Sequence, residues 1–436
     1  MESLIIKNNQ KLLIINALFL LFPLTFVLGN LFVNLNIVIF FLFSFFFYSQ
    51  EIQKIKFNIF DKIITLFFIY IFFVLIIKFT EAKVGSQVFS SVIISKTFLY
   101  LRYYFFYISL RVLVDLKILR LNWFFVSCAF FTILVCLDIY FQYITGRDIF
   151  GFVAISSFKL SGPFGSELIA GGYIQRFCLF ALFLPFVLNK EKKLHRILIQ
   201  VLLISIFLCA IILSGNRMSL LIFLFSIVLL CMFDQNFKKY FVTSIMVLTL
   251  VIFLLLSYNQ KFKTNFLSFY AGTQNLANFF IKKNISLEDS VLVTKAPYVL
   301  EFFCFHHVWK KNIFFGGGVK SYRINSSGCN THPHNYYFEI LDDLGLFGFL
   351  IIVFLFFSIL YKLFKNKHFL NSQMNLDQKI IPIFFIFILE FFPLKSTGSF
   401  FSTGNSAFIF IVLALLVSLI QKREELVKLS SKNLKN

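Results

Sequence analysis

VLLISIFLCAIILSGNRMSLLIFLFSIVLL, residues 201–230, holds two apolar runs broken only by the turn Ser214-Gly215-Asn216-Arg217. With its flanking residues, each run is about the length that crosses a hydrocarbon core of roughly 30 Å as a helix. The pair reads as two membrane spans joined by a tight turn, and the pattern repeats outward in both directions. Spans are expected near 12–29, 31–48, 62–79, 90–113, 121–144, 168–188, 196–213, 217–233, 240–257, 344–361, 379–395 and 404–421. That makes an all-α integral membrane protein of about 12 transmembrane helices with both ends on one side. Lys7 and Lys11 precede the first run and no small-residue cleavage site follows it, so that run is expected to be a retained helix rather than a signal peptide.

Composition supports the same reading. Of 436 residues, 59% are hydrophobic and only 14% charged, with a mean hydropathy of +0.85, more apolar side chain than a soluble domain can hide. The net charge of +21 raises the question of nucleic acid, but the basic residues alternate by side. With the N-terminus in the cytoplasm, the short loops and tails on that side hold about 22 Lys and Arg, against about 6 in the short outer loops. Positive-inside bias accounts for the charge, and no basic stripe suggests nucleic-acid binding. Five cysteines (Cys128, Cys136, Cys178, Cys209, Cys231) fall in or at the ends of apolar spans, and no CxxC spacing suggests a metal or redox site. Cys304 and Cys329 share the long outer loop, where a disulfide and two free thiols are both open readings. The 68 Phe are given no functional weight.

Three regions follow from the span order: helices 1–9 over residues 1–257, an extracytoplasmic loop over 258–343, and helices 10–12 with a cytoplasmic tail over 344–436. The long loop carries four of the six histidines, His306, His307, His332 and His334. A shorter outer loop, about 145–167, is rich in Gly and Ser. No internal repeat is evident.

The strongest local pattern is HPHNYYFEILDDLGLFG, residues 332–348, in which nine residues separate His334-Asn335 from Gly345, with Gly348 beyond it. GGGVKSYR (316–323) and Trp309 lead up to it, and SGNRMSLL (214–221) places Arg217 at the start of a span. These stretches resemble the O-antigen ligase family of lipid-linked glycan transferases. DIYFQYITGRDIFGF (138–152) and KLSGPFGSELIAG (159–171) resemble its first outer loop, so the likeness runs from about 135 to 360.

The resemblance implies a GT-C-like inverting glycosyltransferase without cofactors, acting at the periplasmic face of the bacterial inner membrane; no DxD-like or His-cluster motif argues for a metal, so metal-independent catalysis is expected. It would move a glycan from an undecaprenyl-pyrophosphate carrier to a lipid A-core sugar hydroxyl. His334 would be the essential loop residue, and imidazole is the side chain best suited to take a hydroxyl proton near neutral pH. Arg217 would bind the donor pyrophosphate, since a guanidinium fork grips phosphate oxygens in pairs. The family's second arginine has no counterpart in VTKAPYVLEFF (293–303), which leaves Lys295 or Arg323 as substitutes.

Lys96, Arg102 and Arg111 lie in or near the fourth span. Arg111 is expected to snorkel, while Lys96 and Arg102 suit either donor binding or an ion pair with a carboxylate such as Asp138 or Glu390; Arg176 presents the same choice. Glu339, Asp342 and Asp343 share one side of the helix start and could serve as acids or bases, but are read first as complements to the helix dipole. The closest rival is an O-antigen polymerase using the same donor, and a protein O-glycosyltransferase is a third acceptor choice. From another class, a lipid-linked glycan transporter or flippase suits the span count, although the polar motifs gather in a loop rather than at mid-membrane.

Overall fold

The computed structural model describes residues 2–84, 91–154, 159–188, 193–233, 297–326, 329–365, 377–396 and 398–433, with isolated positions between 249 and 267. The helices are α1 (Glu2–Leu20), α2 (Phe22–Leu28), α3 (Asn30–Phe47), α4 (Ser49–Gln53), α5 (Ile59–Val84), α6 (Ser91–Asp115), α7 (Leu121–Thr145), α8 (Ala170–Leu188), α9 (Lys193–Ser214), α10 (Arg217–Phe233), α11 (Pro297–Trp309), α12 (Tyr322–Asn325), α13 (Tyr336–Phe364), α14 (Asp377–Glu390) and α15 (Thr403–Asn433). The described residues contain no strand, only one isolated bridge between Arg147 and Val153. The chain is an all-α, multi-pass membrane protein.

Seven of the described helices are long and apolar enough to cross a membrane, or eight if α1 and α2, bent by 47°, count as one span. The bend follows from Pro23 at the start of α2, which has no N–H to continue the ladder. Three other expected spans are shorter or more polar. Arg217–Met232 is apolar but brief, α14 has 14 residues, and α6 carries Lys96, Arg102, Arg111 and Asp115. The span expected near 240–257 lies outside the described residues.

The chain divides into two compact units whose segments interleave: Met1–Val33, Leu119–Lys283 and Leu370–Glu390 form one, and Asn34–Ile118, Asn284–Phe369 and Phe391–Asn436 the other. In the first, α8 is the centre, packed by α7, α9, α10 and α14. Its apolar surface is continuous around the axis, and 78% of its span is buried. Arg176 of α8 forms a salt bridge with Glu390 of α14, Nη2 to Oε1 at 2.9 Å, which settles its choice as an ion pair.

In the second unit α15 packs against α6, α13 against α5, and α11 against α13. The span of α15 is 89% buried, whereas that of α3 is 28% buried and shows Leu31, Leu35, Leu42 and Phe46 outward, as a lipid-facing helix does. Arg111 does not snorkel. Its side chain is fully buried, with Nε 3.4 Å from Asp61 Oδ1 and an ion pair to Asp115. It also donates to Ser418 Oγ at 3.0 Å and to Gln421, and Tyr107 donates to Asp61 Oδ1 at 2.6 Å. Two acids, Asp61 on the neighbouring α5 and Asp115 one turn on in α6 itself, make burial tolerable where reaching the interface would strand them.

Candidate active site: the His334 loop

The second unit holds a break in α13 that shapes the loop around it. Gly345 takes φ +67° and ψ −171° inside the helix, so the backbone groups on either side lose their helical partners. Each finds another. Gly317 N donates to Asp342 O at 2.9 Å, Gly318 N to Asp343 O at 2.7 Å, Leu346 N to Ile313 O at 2.8 Å, and the Tyr70 hydroxyl to Leu344 O at 2.8 Å. Buried backbone left unpaired in a membrane protein costs several kcal/mol per group, roughly, so the glycine loop and the break are one construction. A Cβ on Gly345 would run into the backbone of Phe314 and Phe315, and one on Gly316 into that of Asp343. Gly348 leaves room for the Tyr70 ring.

Asp343 fastens the rest of the loop. Its carboxylate accepts from Lys320 N at 2.6 Å, Ser321 Oγ at 3.0 Å and Tyr322 N at 2.9 Å. Glu339 accepts from Ser399 Oγ at 2.6 Å and from Phe400 N, holding the segment before α15. These two acids are anchors rather than dipole complements. Both oxygens of the buried Asp342 carboxylate lack a hydrogen-bond partner.

His334 sits one residue before the N-cap of α13. Asn335 is that cap: its side-chain oxygen accepts from Tyr337 N at 2.9 Å and Phe338 N at 3.3 Å, and its amide donates to Pro393 O at 2.9 Å. His334 itself has φ +47°, a left-handed conformation that a non-glycine residue holds only when its surroundings enforce it. Those surroundings are the capped helix on one side and, on the other, a loop closed by the Cys304–Cys329 disulfide. The half-exposed imidazole lies 3.8 Å from Glu301, Nε2 to Oε1, and its ring centroid is 4.2 Å from that of His332.

The electrostatics are uneven. Burial, together with His334, Arg323 and Lys320 nearby, lowers His332 to about 4 and keeps it neutral. Burial, Arg323 and Lys96 lower Lys320, which also has a left-handed backbone at φ +63°. Burial raises Glu301 to about 7, against the opposing hydrogen bond from Asn330 at 3.2 Å. The site therefore combines a neutral His332, the neighbouring His334 ring, one buried acid, and the cations Lys320 and Arg323 that follow the glycine loop.

Among the residues singled out from sequence, His334 and Arg323 belong to this loop, with Arg323 exposed. Arg102 is in the same unit, donating to Leu99 O at 2.9 Å and Tyr103 Oη at 3.0 Å, and its guanidinium stands 4.7 Å from the Tyr103 ring centre. Lys295 lies outside the described residues. Glu301 and Lys320 carry no signal in the sequence: one is a lone acid in the aromatic helix PYVLEFFCFHHVW, the other a lone cation after three glycines.

Arg217 belongs to the first unit. It opens α10 after a turn in which Gly215 has φ +67°, and the side chain is exposed. The turn is tied to the 146–169 loop: Asn216 donates to Leu168 O at 3.0 Å, and Leu160 N to Leu213 O at 3.2 Å. Gln142 accepts from Gly162 N at 2.9 Å, so the Gln and the Ser-Gly-x-Phe segment noted in sequence form one fixed corner.

No curated protein matches the chain. Residues 201–353 match the family model described as O-Antigen ligase, an interval that takes in Arg217, the glycine loop, His334 and the Gly345 break, so this stretch is similar to an O-antigen ligase domain.

Proposed function

We propose that this membrane glycosyltransferase is a ligase, moving a glycan from an undecaprenyl-pyrophosphate carrier to a lipid A-core sugar hydroxyl at the periplasmic face of the inner membrane, by metal-independent inverting displacement. The observation that carries the reading is His334: left-handed, half-exposed, held just ahead of a capped helix, and set beside Glu301 and the ring of His332. In the proposed reaction the acceptor oxygen attacks the anomeric carbon while His334 takes its proton, and the carbon–oxygen bond to the pyrophosphate breaks with both electrons going to phosphate. Arg217 binds the donor pyrophosphate, with Arg323 as the second cation in place of the family's arginine and Arg102 or Lys295 in supporting roles. Because the leaving group is already good, positioning and charge stabilisation supply much of the rate.

The test is transfer by the purified protein in liposomes, from an undecaprenyl-pyrophosphate oligosaccharide to rough lipopolysaccharide, for wild type, His334→Ala and Arg217→Ala. Ligated product from wild type alone supports the reading and both residues. Lengthening of the lipid-linked glycan instead assigns the chain as a polymerase. Lipid export without covalent transfer, unchanged in His334→Ala, makes it a transporter.

A further inference from the structure

The acid 33 positions before His334 is brought to its ring by two constraints. The disulfide between Cys304 and Cys329 closes the segment between α11 and the histidine loop, and Asn330, next to the cystine, donates to Glu301 Oε1 at 3.2 Å. The same oxygen is 3.8 Å from His334 Nε2. Glu301 is 7% exposed, yet no lysine or arginine pairs with it among the described residues. A buried carboxylate with an amide and an imidazole as its polar neighbours is an expensive arrangement unless the imidazole becomes charged beside it.

We propose that Glu301 is the positioning residue of the catalytic base: it holds His334 with Nε2–H directed at its carboxylate, leaves Nδ1 as the proton acceptor, and stabilises the imidazolium that forms. This rests on the reading of His334 as the base. The acceptor O–H proton passes to Nδ1 as the oxygen bonds to the anomeric carbon. The pyrophosphate leaves with the electron pair of the broken bond, and the imidazolium remains against the Glu301 carboxylate until it returns its proton to water. His332, at 4.2 Å between ring centres, is neutral, and Lys320 and Arg323 act on it to oppose a positive charge there. The other groups around the pair are Tyr322 of α12 and the carboxylates Glu339 and Asp342 of α13, which share a field with Glu301 at Tyr322. Glu339 is already committed to Ser399 and Phe400.

The experiment compares wild type, Glu301→Gln, Glu301→Asp and His334→Ala in the liposome transfer assay between pH 5 and 9. Glu301→Gln keeps the shape and the Asn330 contact while removing the charge. It is expected to lower kcat about 10- to 100-fold with KM near wild type, and to move the acid limb of the pH profile down by about one unit, because an imidazole that faces cations without a carboxylate protonates at lower pH. Glu301→Asp is expected to restore the limb and part of the rate. The limb reports the pair rather than either residue. If His334→Ala is inactive but Glu301→Gln keeps the wild-type rate and limb, the pairing is wrong while the base stands. If His334→Ala remains active, the functional reading fails first. A loss in Glu301→Gln with an unmoved limb and no rescue by Asp would make Glu301 structural only and overturn the proposal.

Discussion

Two polar clusters in the same unit, the Arg111 network and the His334 loop, are built on opposite plans. Around Arg111 charges are matched in kind: Asp61 and Asp115 face the guanidinium, and Ser418, Gln421 and Tyr107 complete the shell. Around His334 the matching is left unfinished. The Lys320 and Arg323 side chains make no hydrogen bond or ion pair among the described residues, Tyr322 Oη and both Asp342 oxygens lack partners, and two non-glycine residues are held left-handed. In the Arg111 network only Nε lacks a hydrogen bond, and it faces Asp61 at 3.4 Å, so little is left for a ligand to complete and its worth is structural. An open one keeps donors and charges that only a substrate completes.

The largest effects are expected on removing the central residue of each cluster. His334→Ala is expected to cut transfer by about 10²- to 10⁴-fold while the thermal midpoint in detergent stays near wild type. Arg111→Met is expected to do the reverse, costing about 3 kcal/mol through an unpaired Asp61, with the folded fraction keeping its rate; thermal melting and transfer assays on the same preparations check both. If Arg111→Met abolishes transfer in well-folded protein, the division between closed and open clusters fails. Next in size is the disulfide. Changing Cys304 and Cys329 to Ser is expected to loosen the 304–329 loop by about 3 kcal/mol, read as faster proteolysis there with the spans intact. The smallest effect is expected at His332. Its folded pKa of about 4 lies below the ordinary 6.5, so the unfolded chain binds the extra proton and this residue's contribution to stability falls as pH drops from about 6.5 toward 4. Above that window His332→Gln is expected to keep the rate within about twofold and the pH profile unchanged.

The membrane spans were legible because apolar length is a local property, and the bend at Pro23 was legible in principle for the same reason. The role of Arg111 was not. Sequence shows its distance from the span end, but Asp61 comes from another helix, and only packing decides whether an arginine reaches for water or for an acid. His334, Asn335, Gly345 and Gly348 stood out as a pattern, and the structure separates what each does. The first is the candidate base, the second caps the helix, the third breaks the backbone, and the fourth clears room for a ring. Glu301 was invisible for the opposite reason. Its meaning depends on a disulfide and a turn 29 residues away, and sequence left the pairing of Cys304 with Cys329 open.

Because the glycine loop is laced to the backbone of α13 at residues 342–347, on either side of the Gly345 break, and His334 stands about 15 Å further along the same axis, no slack linker separates the histidine from its span. Its height is set the way a ruler sets a mark, by helix register. An added or deleted residue between Asn335 and Gly345 would shift that mark by about 1.5 Å and turn it by about 100°, and a bilayer thick enough to change the tilt of α13 would carry the histidine with it. The reach of the enzyme toward a sugar would then be tuned by the lipid around it.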